Sequence, residues 1–130
     1  MSTTSAPRFR GVCQISVTAH DLERATAFYR DVLGLRHLFS AGSVAFFDCG
    51  GVRLMLARPE THEFDHPGSI LYFDVADIAA SAGTLAEHGV RMEGAPHVVG
   101  QLGNQDVWVA LFRDSEGSLM GMQSLVERPA

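Results

Sequence analysis

The chain has 130 residues, 46% hydrophobic and 19% charged, a length that fits one domain or two small fused modules and buries about two-thirds of its surface without disulfide or metal staples. Ten basic residues against fifteen acidic ones give a net charge of -5, which repels phosphate backbones and anionic lipid heads and so argues against nucleic acid and membrane surfaces as partners. All ten basic residues are arginine, which excludes lysine Schiff-base chemistry and a P-loop lysine.

Two cysteines, Cys13 and Cys49, do not make a disulfide framework. The opening MSTTSAPRFR has no apolar signal region and no run approaches a membrane span, so a cytoplasmic location is expected. Residues 1–10 read as a polar tail.

The first ordered stretch is expected from Gly11 to Ala19. There Cys13, Ile15, Val17 and Ala19 alternate with Gln14, Ser16 and Thr18, the period of two of a half-buried strand. Asp21 is placed to cap a helix carrying Leu22, Ala25, Phe28, Tyr29, Val32 and Leu33 on one stripe, with Gly34 as its stop. Strands are expected over Arg36 to Phe39, Val44 to Asp48 and Val52 to Ala57, separated by Ala41-Gly42 and Gly50-Gly51. A Pro-bounded polar linker follows over 58–68. The same order then begins again: a strand from Ile70 to Val75, a cap at Asp77, a helix from Ile78 to His88 stopped by Gly89, and strands near His97 to Val99, Val107 to Phe112 and Leu119 to Leu125.

The offsets agree between the halves, at 77 − 21 = 56 for the capping aspartates and 70 − 14 = 56 for the first strands. The sequence is therefore a duplicated strand-helix-strand-strand-strand unit. One module covers about 11–57 and the other about 69–127 of a single domain, with the polar segment Gly100 to Asp106 read as a loop insertion in the second. Such an order makes an α+β fold with largely antiparallel sheets, each covered by its helix on one face. Strand parity puts Gln14, Ser16, Thr18 and Tyr72 on the opposite face, where a polar lining suits a ligand cavity.

QISVTAHDLERATAFYRDVLGL, from Gln14 to Leu35, with FDCGGVRLML, ILYFDVADI and FRDSEGSLMGM, resembles the vicinal oxygen chelate superfamily, which includes glyoxalase I, bleomycin-resistance proteins, extradiol dioxygenases and epimerases. The resemblance implies two paired βαβββ modules forming a cup-shaped, partly open barrel around one small-molecule site, commonly in a homodimer. Metal-dependent relatives place ligands at positions that correspond here to Gln14, Met55, Ile70 and Gly121. Only Gln14 offers a hard donor, so neither a metal nor another cofactor is expected.

Within that frame the candidate ligand-binding residues are Gln14, Arg53, Met55, Trp108 and Gln123, with Tyr72 and His97 as acid or base. Arg53 suits an anionic or carbonyl group, and Trp108 suits stacking on a flat ligand. His37 is a lesser candidate on the strand matching that of His97. His62-Glu63-Phe64-Asp65-His66 fits the zinc-peptidase H-E-x-x-H pattern, but Pro59 and Pro67 bracket it and its match is read as accidental. The expected function is a metal-independent isomerase, epimerase or lyase acting on a small organic molecule. The alternative is a drug-binding protein of the bleomycin-resistance kind, and a metal-dependent lyase or dioxygenase is a third reading.

Overall fold

A computed structural model describes residues 7–129. Most of the expected N-terminal tail lies outside them, and residues 7–13 run without regular structure. The chain then forms β1 (Gln14–Thr18), a helix α1 (Leu22–Ala27) that widens into a π turn over Phe28–Val32, β2 (Arg36–Ala41), β3 (Val44–Cys49) and β4 (Val52–Ala57). The second half repeats the order as β5 (Tyr72–Asp74), α2 (Ile78–Glu87), β6 (His97–Leu102), β7 (Gln105–Arg113) and β8 (Leu119–Glu127).

Two four-stranded mixed sheets result, ordered β1-β4-β3-β2 and β5-β8-β7-β6. Neither closes. In each, the helix is the crossover that lets the module's first strand lie parallel to its last, β1 on β4 and β5 on β8, while the remaining pairs are antiparallel hairpins. Among the described residues no helix is long and apolar enough to cross a membrane.

Both helices start at the expected aspartates. Asp21 accepts from Arg24 N–H at 3.1 Å and Asp77 from Ala80 N–H at 3.1 Å, satisfying donors that the first turn leaves free. Gly34, at φ 74, ends the first helix in the left-handed region that only glycine adopts without strain. Two expectations are corrected. The Gly100 to Asp106 segment is a hairpin, with β6 running to Leu102 and β7 starting at Gln105. The strand expected from Ile70 is paired only from Tyr72 to Asp74. His62–Phe64 forms one exposed 3-10 turn, so the two histidines of the H-E-x-x-H match, read as accidental, share no helix face.

The core joins the halves. Val17, Ala45, Phe47, Leu54 and Leu56 of the first sheet, with Leu22, Ala25 and Tyr29 of α1, form one cluster with Ile78 and Leu85 of α2 and Ala110, Phe112, Met120 and Met122 of the second sheet. Burial at alternate positions puts these residues on the helix-covered faces. The helix-free faces remain outside the core, with Gln14, Ser16, Arg53, Tyr72 and Asp74 all exposed.

Polar contacts tie the seam between the modules. The Tyr29 hydroxyl, fully buried, donates to Asp114 Oδ2 at 2.7 Å, and the other Asp114 oxygen accepts from the N–H groups of Glu116 and Ser118, both at 2.9 Å. Glu116 accepts from the N–H groups of His20 at 2.8 Å and Asp21 at 3.0 Å. The His20 ring bridges Glu116 and Asp65 of the linker. One turn of the second module thus grips the start of α1.

Candidate functional site

On the helix-free face of the first sheet, β1 and β4 run parallel with Gln14 beside Arg53 and Ser16 beside Met55. The polar side chains there are organised. Arg53 Nε donates to Gln14 Oε1 at 2.9 Å, and the Gln14 amide nitrogen lies 3.8 Å from the Met55 sulfur. The Arg53 guanidinium sits over the Phe46 ring, 5.8 Å from its centre, a cation–π placement. Phe46 in turn packs on Phe39 of β2 with ring centres 4.7 Å apart. Parity alone brings Gln14, Arg53 and Met55 to one face. The aromatic ledge of Phe39 and Phe46 went unnoticed in the sequence because AFFD reads as a plain apolar strand, and because a bulge between His37 and Phe39 shifts the parity of β2.

The second sheet carries Tyr72, Gln123 and His97 on its own helix-free face. Tyr72 is in register with Gly121, Asp74 with Gln123, and His97 with Val109, which is in turn opposite Gln123. Gly121 is there for packing. A Cβ at that position would lie 2.5 Å from Tyr72 Cδ2 and 2.7 Å from Cε2, so the tyrosine ring rests directly on the bare backbone of β8. His97 Nδ1 lies 3.0 Å from the Ala95 carbonyl oxygen, which can only accept. That nitrogen therefore carries a hydrogen, and in the neutral ring Nε2 is the one with the lone pair.

Two expected placements fail. Trp108 shares the parity of Ala110 and Phe112, faces buried Ser124 across β7 and β8, and packs against the core. It stands on the helix-covered side and lines no ligand face. His37 likewise turns to the core, its ring 5.2 Å from that of Phe47 and its Nε2 2.8 Å from Ser40 Oγ.

The donor set does not fit a divalent metal. Of Gln14, Met55, Ile70 and Gly121, only Gln14 has an oxygen, and that oxygen already accepts from a guanidinium. A cation beside it would face direct repulsion from Arg53. Among the described residues no three His, Cys, Asp or Glu side chains gather closely enough to hold an ion.

A groove of about 970 Å³ lies elsewhere, at the seam of the modules. It runs between the end of α1, the Asp48–Gly50 turn, β5 and α2, over Phe112 and Met122. Its polar lining is partly spent, since Asp77 caps α2. Burial and the neighbouring Asp48 push the Cys49 thiol above its ordinary range, which disfavours the reactive thiolate. Tyr72 and Asp74 of β5 line this groove as well.

The sequence matches the family model of the Glyoxalase/Bleomycin resistance protein/Dioxygenase superfamily over residues 11–121. The chain belongs to this superfamily. Solved structures agree on the fold of this glyoxalase-superfamily protein. A lactoylglutathione lyase from Agrobacterium tumefaciens is 23% identical, with a TM-score of 0.73 over 90% of this chain and 95% of that one. A superfamily member from Sphaerobacter thermophilus is 20% identical with a TM-score of 0.76, covering 89% and 98% of the two chains. A virulence protein from Salmonella typhimurium is 19% identical with a TM-score of 0.74, covering 92% and 99%. No curated protein matches the sequence. At these identities the superfamily protein shares a fold with its neighbours, and its chemistry has to be argued from its own side chains.

Proposed function

We propose that this superfamily protein binds a small, partly apolar organic molecule against its helix-free sheet faces, with Gln14, Arg53 and Met55 as contacts on one sheet and Tyr72, His97 and Gln123 on the other. The observation that carries the reading is the Gln14–Arg53–Met55 cluster on its Phe46 ledge. It is a pre-set polar group on an exposed face that none of the described helices covers. Reaction by proton transfer suits the side chains available. His97 Nε2 is the base, and the Tyr72 hydroxyl is a donor to developing charge. That chemistry fits an isomerase, epimerase or lyase working through its own residues. Sequestration of a drug without turnover is a second reading, favoured by the net charge of -5, which attracts cationic ligands.

We also propose a homodimer, because a second copy would cover the open edges of β1 and β5. Light scattering at micromolar concentration should give twice the chain mass, and a monomer would count against it. The binding reading is tested by native mass spectrometry of the purified protein and by ¹⁵N NMR with a small-molecule library. Bound molecules should move the resonances of Gln14, Arg53 and Met55. Shifts confined to Cys49, Ser81 and Thr84 would move the site to the seam groove and sink the reading.

A further inference from the structure

Arg53 is held in place more firmly than a solvent-facing strand arginine needs to be. Its Nε–H is committed to Gln14 Oε1 at 2.9 Å and its guanidinium lies over Phe46, so the group is less free to turn than that of an unpartnered arginine. The remaining edge is different. Among the described residues Nη1 and Nη2 have no hydrogen-bond or ion-pair partner, although Asp48 stands opposite Arg53 in the β3–β4 register. No ion pair joins that carboxylate to Arg53. Arg36, opposite the same Asp48 from β2, adds a second cation to the row. The face therefore carries a positive excess in a protein whose net charge is -5. Beside it lies an aromatic ledge, with Phe39 52% exposed and 4.7 Å from Phe46.

From these observations we infer that the helix-free face of the first sheet is a carboxylate site. The Nη1–Nη2 edge of Arg53 takes a planar anionic group end-on, and the Phe39–Phe46 ledge takes the flat apolar body attached to it. The ligand class is thus an aromatic or conjugated carboxylic acid, held by two parallel N–H···O bonds that match the carboxylate plane. Gln14 is the positioning residue: by occupying Nε it leaves only the outer edge of the fork for the ligand. The inference deepens the small-molecule reading above and rests on it. It also decides against a cationic ligand at this sheet.

The test is ¹H–¹⁵N NMR titration of the full chain with benzoate, with benzamide as its neutral isostere and with acetate as the anion lacking a ring. Benzoate should shift the Arg53 Nε–H signal and the amides of Phe39, Phe46 and Met55 with saturation, and benzamide should bind at least about tenfold more weakly. Arg53→Gln should abolish the benzoate shifts with an unchanged melting temperature. Arg53→Lys, which keeps the charge but not the fork, should weaken them by about tenfold. Phe39→Ala should weaken benzoate but leave acetate as it was. Equal binding of benzamide and benzoate on this face would overturn the carboxylate inference while leaving the small-molecule reading intact. Shifts only at the seam groove would overturn both. No movement of any Arg53, Phe39 or Phe46 signal up to about 10 mM benzoate would also overturn the inference.

Discussion

Tyr29 holds the two halves together through one atom. Its hydroxyl is the donor to Asp114 Oδ2, and burial together with that carboxylate drives its acidity far below that of free tyrosine, so it stays a neutral donor at any pH the protein meets. Tyr29→Phe leaves a buried carboxylate oxygen one donor short and should cost about 2 kcal/mol in a chemical denaturation curve, with no effect on benzoate binding. A loss below about 0.5 kcal/mol would show that water replaces the hydroxyl.

Gly121 makes the opposite kind of prediction. Its backbone is not in the left-handed region, so alanine is conformationally acceptable, and the cost falls on the exposed Tyr72 ring that must swing away. Gly121→Ala should change stability by no more than about 1 kcal/mol while visibly moving the Tyr72 ring signals. An unmoved ring would refute the packing account. None of these contacts could be read from neighbours in the chain. Tyr29 and Asp114 lie 85 positions apart, and Gln14 and Arg53 lie 39 apart. Parity placed Gln14 and Arg53 on one face, but only the β1–β4 register brings them into hydrogen-bonding range.

At the level of elements, the alternation was legible wherever polar and apolar residues took turns. Gln14 to Thr18 and Val52 to Ala57 show it plainly, and their faces were assigned correctly from sequence. In β7 it was not, because Val107 to Phe112 is apolar at every position and a period of two leaves no trace in it. That is why Trp108 was expected on the ligand face. The hairpin of β6 and β7 was hidden for a related reason: Gly100 and the polar run after it resemble a loop, while the pairing is supplied by the partner strand.

The turn between β7 and β8 carries the clearest pH dependence. Burial raises the Glu116 carboxyl, but the N–H groups of His20 and Asp21 and the His20 ring together outweigh it and hold the group below the usual glutamate range. A carboxyl lowered in the folded state adds stability that is present above its unfolded pKa and is lost as pH falls through its folded one. Glu116→Gln should therefore destabilise by about 1–3 kcal/mol near neutrality. The difference from the parent should shrink to nothing in acid below the folded pKa. A difference that persists unchanged into acid would mean that the carboxylate charge is not what grips α1.

For the whole molecule, duplication was the most legible feature of all. Equal spacing of the capping aspartates and first strands showed the repeated element order, since a repeated unit needs only one of its copies to be readable. How the copies meet was not legible, because the shared core and the polar contacts between α1 and the turn after β7 join residues far apart in the chain. The same module plan has a consequence in time. β2, β3 and β4 are joined by two-residue turns, whereas β1 reaches β4 only after the chain between Gln14 and Arg53, 39 positions apart, has closed. Short-range hairpins form before such long closures are rewarded. Pulse-labelled hydrogen exchange during refolding should find the amides of Phe47 and Leu54 shielded before those of Ile15 and Val17. For that interval the nascent protein exposes β4 as a bare edge, a window in which two chains at high concentration could trade their first strands.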